Sequence, residues 1–317
     1  VGGAPPNCDD GNVCTDDTCD PATGCVNTNN VAACDDGNAC TTTDVCDGAG
    51  VCAGVNPANT VTVDIAIDAL TPESPPGTPS PVTRDVIFVI TECGTPNIVT
   101  NITQAVTFDS TGFGTANLTG VSTAAGWISV RTGHTLSRLA ALTFDPICND
   151  AFVDLTGGNA LTSGDFQNSG GTAFQDDLVD IVDFSILASS FDTTIDRTSS
   201  LGADATGDGV QGTADFTVLQ VNFLKVSDSA DGCGTRFAGD PFGDGAATRR
   251  PIYRIPDRNL SSSTARAADI NQDGVVDVWD IRAFARRHDL RILPEFSDKL
   301  DLIEESEHGK RGRASRR

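Results

Sequence analysis

Residues 269–280 read D-I-N-Q-D-G-V-V-D-V-W-D. A twelve-residue calcium loop needs oxygen ligands at slots 1, 3, 5, 9 and 12, a backbone carbonyl at slot 7, and glycine at slot 6 for the sharp turn. Here those slots hold Asp269, Asn271, Asp273, Asp277 and Asp280, the carbonyl of Val275, and Gly274. Calcium is a hard cation that takes six to eight oxygens, so an all-oxygen set suits it. A merely solvated acidic turn does not explain why Ile270, Val275, Val276 and Val278 fill the gaps between the acids.

Working upstream, residues 204–215 repeat the pattern. Asp204, Thr206, Asp208 and Asp215 occupy ligand slots, Gly209 the turn, and Val210 the carbonyl slot; slot 9 is Gly212, where water would substitute. A third copy keeps only its second half, with Asp176, Asp180 and Asp183 as ligands and Asp177 in the glycine slot. Its first half is displaced by residues 164–174, and the upstream acid Asp165 is a ligand if the chain loops back. Residues 240–245 are a remnant at best. Two to three calcium ions are expected.

Each loop ends in Asp and leads into a short amphipathic segment: Phe184, Leu187 and Phe191; Phe216, Leu219 and Phe223; Ile281, Phe284 and Ala285. These spacings share one helical face. A tandem of such loops with terminal Asp and only an exiting helix resembles the dockerin domain, as a pair over 150–226 and an extra unit over 266–290. The resemblance implies calcium binding and a cohesin-like protein partner. Loop slots 10 and 11, often Ser or Thr on the partner-facing side of dockerins, are Ile181 and Val182, Thr213 and Ala214, and Val278 and Trp279. The pair is therefore expected to pack internally against the β-sandwich rather than plug into a cohesin-bearing scaffold. Trp279 is either a contact anchor or packed on its own helix.

Residues 60–70 alternate strictly, with Val61, Val63, Ile65 and Ile67 on one face. Period two at this length is a half-buried strand. Six further short strands follow up to residue 155, so an all-β antiparallel sandwich is expected. The pattern resembles the small transthyretin-type or carboxypeptidase-regulatory-type sandwiches. His134, between two strands with no nucleophile in an elbow nearby, reads as a structural histidine.

Eight of the eleven cysteines lie near the N-terminus: Cys8, Cys14, Cys19, Cys25, Cys34, Cys40, Cys46 and Cys52. They fall in a duplication, CDDGNVCTDDTCDPATGC over 8–25 and CDDGNACTTTDVCDGAGVC over 34–52. Residues 1–56 have no Lys or Arg and few bulky apolar residues, so disulfides must stand in for a core. Eight cysteines allow about 105 pairings, and spacing does not choose among them. The C-D-D-G-N-x-C-T core resembles the slime-mould-type cysteine-rich repeat, which implies an extracellular module. Its Asp-Asp-Gly-Asn stretches are read as Asx-type turns rather than a cation site. Cys93 and Cys148 are further disulfide candidates, and Cys233 is the odd one: free, intermolecular, or paired with either.

The expected organisation is thus multidomain: disulfide-rich repeats over 1–56, the sandwich over 57–156, an α-helical dockerin-like calcium-loop region over 157–228, an irregular linker over 229–265, and an extra loop–helix with a basic tail over 266–317. The net charge of −23 argues against nucleic-acid binding, and no apolar run is long enough to span a membrane. The first residue is Val1, as in a mature secreted chain after signal removal. Asn101, Asn117 and Asn259 head glycosylation triplets.

Ten of the 21 basic residues lie in 281–317, against seven acids. An acidic body with a basic end favours head-to-tail self-association, which forms a filament when it does not close. No enzymatic fingerprint occurs. The expected function is therefore a secreted, calcium-stabilised structural protein, a protomer of an extracellular fibre or surface assembly. The other reading is a docking module or adhesin that binds a cohesin-like protein or a glycan.

Overall fold

The computed structural model describes residues 7–55, 59–70, 73–74, 78–79, 81–167, 177–199, 201–228, 233, 254–256 and 263–314. Two compact units emerge: Val1–Val61 with Thr119–Thr123 and Phe144–Ala151, and Thr62–Leu118 with Ala124–Thr143 and Phe152–Arg317.

The first unit contains the duplicated repeat. Each copy makes one antiparallel hairpin: β1 (Thr15–Asp20) with β2 (Gly24–Asn29), and β3 (Thr42–Cys46) with β4 (Cys52–Val55). The Asp-Asp-Gly-Asn stretches are Asx-type turns in both copies. Asp9 Oδ1 accepts from Gly11 N at 2.8 Å, Asp10 Oδ1 from Asn12 N at 2.8 Å, and Asn12 Oδ1 from Cys14 N at 3.0 Å. Asp35, Asp36 and Asn38 repeat these bonds onto Gly37, Asn38 and Cys40. These amides hold the carboxyls of Asp10 and Asp36 below the usual range.

Sulfur takes the place of a hydrocarbon core here: Cys14 and Cys46 are 0% and 2% exposed. Cys34 bonds Cys52, Cys14 bonds Cys46 across the two copies, and Cys40 bonds Cys148. Cys8 lies within bonding reach of both Cys19 and Cys25, with Cα separations of 6.1 and 5.1 Å. The duplication matches Cys8 with Cys34 and Cys25 with Cys52, so Cys8–Cys25 is the counterpart of Cys34–Cys52. In the second unit Cys93 bonds Cys233. Cys233 is therefore paired, and the odd position moves from it to the Cys8, Cys19, Cys25 group.

The strand-rich region begins with β5 (Thr60–Ala66), whose alternation buries Val63 and Ile65 and continues to Ile67, each at 6% exposure or less. A two-residue pair, β6 (Glu73–Ser74) and β7 (Thr78–Pro79), follows. Then come β8 (Val82–Glu92), β9 (Ile98–Phe108), β10 (Phe113–Thr119), β11 (Ala125–Thr132), β12 (Arg138–Ala141) and β13 (Ala151–Leu155). They form a three-stranded sheet, β10-β5-β13, and a four-stranded sheet, β12-β11-β8-β9. The four-stranded sheet is antiparallel throughout, and the β8–β9 ladder pairs all eleven residues from Val82↔Phe108 to Glu92↔Ile98. Phe88, Phe108, Leu118, Ile128 and Val130 are buried side chains of these strands.

The last part of the second unit is loop and helix. The ten-residue helices α1 (Ile181–Ser190) and α2 (Thr213–Asn222) precede a six-residue α3 (Ser263–Ala268), a ten-residue α4 (Val278–Arg287) and α5 (Pro294–Ala314). Short strand pairs join them: β14 (Thr193–Thr194) with β15 (Val210–Gln211), and β16 (Arg254–Pro256) with β17 (Val275–Asp277). One core serves all of them. Phe184, Phe216, Phe223, Phe284 and Phe296 are each at most 1% exposed and belong to a single cluster. Burying a large aromatic at each helical contact offsets the modest propensity of these short helices.

Candidate metal centre

The three acidic loops adopt one hydrogen-bonding plan. The slot-6 residue has positive φ in each: Asp177 at 58°, Gly209 at 85° and Gly274 at 82°. Its amide donates to slot 1. Gly209 N reaches Asp204 Oδ2 at 3.1 Å, Gly274 N reaches Asp269 Oδ2 at 3.1 Å, and Asp177 N reaches Asp165 Oδ2 at 3.2 Å. Asp165 is thus the slot-1 residue of the first loop, brought back across the insertion to face Asp177. Asp176, assigned to slot 5, lies outside the described residues, as does Asn259.

The slot-12 carboxylate closes each loop. Its Oδ2 accepts from the slot-9 amide: Asp183 from Asp180 at 2.8 Å, Asp215 from Gly212 at 2.8 Å, and Asp280 from Asp277 at 3.0 Å. Its Oδ1 accepts from the start of the loop: Asp183 from Phe166 N at 2.7 Å, Asp280 from Ile270 N at 2.8 Å, and Asp215 from Thr206 N at 3.0 Å. The same Asp is the third residue of the helix that follows. It forms the return half of a capping box, which explains why each helix starts at slot 10.

Slot 9 has a second job that the ligand reading did not assign. Asp180 Oδ1 accepts from Val182 N at 2.8 Å, and Asp277 Oδ1 accepts from Trp279 N at 3.0 Å. These two side chains are N-caps of α1 and α4. In the middle loop Gly212 takes that place without a side chain to cap with.

Among the described residues, the carboxylates of Asp204, Asp208 and Asp215 bring one oxygen each to within 4.8 Å of one another. Thr206 stands beside them, its Oγ1 donating to Asp215 Oδ1 at 3.1 Å. The acids of 269–280 make no such group, although their amide scaffold is the same. The oxygen-only donor set of the middle loop fits a hard divalent cation better than a soft one. Like charges gathered out of water are costly in the absence of a cation. Burial pushes the Asp215 carboxyl up to about 7 and that of Asp280 up to about 6. Burial also raises Asp204, against the pull of Arg84.

The loops are held to the strand-rich region by named contacts. Ser137 donates to Asp177 Oδ1 through both N, at 3.0 Å, and Oγ, at 2.6 Å. Asn222 Nδ2 donates to Ser163 O at 2.8 Å and to Asp68 Oδ2 at 3.3 Å. Arg84 on β8, 2% exposed, donates to Asp204 O at 2.9 Å. The slot-7 segments pair reciprocally. The stretch after α1 pairs with the middle loop as β14–β15, while Leu224 N, after α2, donates to Val179 O of the first loop at 2.7 Å. Of the slot-10 and slot-11 residues, Ile181 and Val278 are buried, whereas Thr213, Ala214 and Trp279 are exposed.

His134 is 3% exposed and edge-on to Phe166, ring centroids 6.4 Å apart. Burial holds its pKa well below the ordinary value, so the ring is neutral. Asn101 and Asn117 are both exposed, and Asn117 Oδ1 accepts from Thr62 Oγ1 at 3.0 Å.

A family model described as the Dictyostelium (slime mold) repeat matches residues 7–30. No curated protein matches the chain. Solved structures similar to part of it include C-terminal and N-terminal interface mutants of a type II cohesin–X-dockerin complex from Acetivibrio cellulolyticus. Each is 19% identical and aligns over 54% of this chain and 99% of that chain, with TM-scores of 0.35 and 0.34. Likeness at that level carries neither a fold assignment nor a partner. What is shared with a named family is therefore the first cysteine-rich repeat.

Proposed function

We propose that this chain is a secreted structural protein whose loop–helix units are locked by calcium onto a β-sandwich, and that it serves as a protomer of an extracellular fibre or surface assembly. The observation that carries the calcium reading is the middle loop, where Asp204, Asp208 and Asp215 converge beside Thr206. Calcium there would supply the positive charge that the buried carboxylates lack. The chain's part is to hold the ligands: Gly209 and Gly212 fix Asp204 and Asp215 through their amides. The loop over 269–280, and the first loop through Asp165 and Asp183, supply further sites on the same plan.

The tethers support a structural rather than a sensing role. Asp177, Asp204 and Asn222 are all bonded to the sandwich, and the three helices share one aromatic core. Such a body has little surface to uncover on binding an ion. The disulfides fit an oxidising, extracellular compartment, and no described helix is long and apolar enough to cross a membrane. The acidic body and basic C-terminal end support head-to-tail self-association. Negative-stain microscopy and sedimentation with calcium and with EDTA test this. Calcium-dependent filaments are expected, and a strictly monomeric, folded protein at high concentration rejects the polymer.

A docking role is the second reading. It is favoured by the uncharged stripe on α2, where Thr213, Ala214, Thr217 and Val221 are exposed, and by Trp279, which is 42% exposed. A monomer that captures a cohesin-like protein or a glycan through that stripe would support it.

A further inference from the structure

Arg84 is the most deeply buried cation described in the second unit, and it belongs to the sandwich rather than to the loops. Its guanidinium ends at the first residue of the middle loop. Nη2 donates to the carbonyl of Asp204 at 2.9 Å and stands 3.5 Å from Asp204 Oδ2, while Nη1 donates to the carbonyl of Ser199. Asp204 Oδ2 is also the oxygen that accepts from Gly209 N, whereas Oδ1 accepts from Gly207 N at 2.8 Å. A second arginine braces the loop, Arg197 Nε donating to Gly207 O at 2.6 Å. The loop is also pressed onto the sandwich. A Cβ added at Gly207 would lie 2.7 Å from Leu70 Cδ1 and 3.6 Å from Arg84 Nη2.

The planar fork of an arginine can bridge two carbonyls and a carboxylate in a way that the point charge of a lysine cannot. Groups of this kind, one shell out from a metal, orient the ligand and set its affinity. We propose that Arg84 is a positioning residue for the middle loop: it fixes the slot-1 aspartate and ties the occupancy of that loop to strand β8. The inference rests on the calcium reading above. Linkage makes it reciprocal, so an ion that draws on Asp204 stabilises the Arg84 contacts, and loss of those contacts weakens the ion.

Calorimetric calcium titration of the full chain and of Arg84→Met tests it. One binding step should weaken by about tenfold or more while the others stay unchanged. Arg84→Lys should leave that step weak, because charge without the fork does not restore the geometry. Unchanged steps in Arg84→Met overturn the inference. A wild-type chain that binds no calcium rejects the calcium reading itself, which is a distinct result.

If Arg84→Met does not fold, deuterium exchange on the wild-type chain decides. Amides of β8 around Arg84 should exchange faster after chelation. Asp208→Asn should abolish that calcium dependence, and Asp273→Asn should leave it intact. Exchange in β8 that ignores calcium while calcium still binds overturns the inference.

Discussion

Phe284 of α4 packs edge-on against Phe184 of α1, with ring centroids 5.4 Å apart and planes at 87°. It also meets Phe191 at 4.8 Å and Phe216 at 5.7 Å. The third loop–helix unit is thereby packed into the core of the first two. Phe284→Ala should cost about 3–5 kcal/mol. Chemical denaturation should show α1, α2 and α4 unfolding together at a lower midpoint. An independent early transition confined to residues after 263, with the main midpoint unmoved, would contradict a shared core.

Buried carboxylates set the pH response. The folded pKa of Asp215 is about 7 and that of Asp280 about 6, both above the ordinary 3.8. Between those limits the calcium-free folded state holds protons that the unfolded chain has released. Stability of the calcium-free protein should therefore fall as pH rises from about 4 to about 7. Calcium bound as proposed would compete with those protons, so its apparent affinity should rise over the same window. Thermal melts from pH 4 to 8, with calcium and with EDTA, give both slopes; a rise with pH in EDTA is the result that sinks this assignment.

Asp165 belongs to the first loop by its bond to Asp177. Asp165→Asn should remove one calcium from the stoichiometry measured by calorimetry and leave the steps of the other two loops in place. An unchanged count would mean that the first loop is held by protein contacts alone.

The covalent map can be read by non-reducing peptide mass analysis. Linked peptides should join Cys14 to Cys46, Cys34 to Cys52, Cys40 to Cys148 and Cys93 to Cys233. Cys40 and Cys148 lie 108 residues apart, so replacing both with Ser should cost about 5 kcal/mol through loop-closure entropy.

Features carried by local periodicity were legible in the sequence. The alternation of Val61, Val63, Ile65 and Ile67 fixes a strand because side chains of one parity must face one way. The turns of the loops were legible because the positive φ of Gly209 and Gly274 and their amide bonds to Asp204 and Asp269 are properties of a single turn. What escaped was set at long range. Asp165 could be named only on the condition that the chain loops back across the insertion, a return that no local pattern shows and that the bond from Asp177 N reveals. Arg84 lies 120 residues from Asp204, and nothing in a strand of alternating residues marks which polar side chain will be buried against a loop. Disulfide pairing was equally hidden. The bond of Cys40 runs to Cys148 rather than within its own repeat, and that of Cys233 to Cys93, because pairing follows spatial approach. The N-cap role of Asp180 and Asp277 had a visible signal, an Asp three residues before a second Asp at a helix start. It was masked by the competing demand of the ligand pattern.

The bonds Cys40–Cys148 and Cys93–Cys233 interleave along the chain, since each has one end inside the other's span. Together with Cys14–Cys46, they leave no peptide bond between Cys14 and Cys233 that is not bridged. A single proteolytic nick anywhere in that stretch therefore cuts the backbone without releasing a fragment. Outside the cell, where proteases are common and repair is not, such a molecule would be scarred rather than shed.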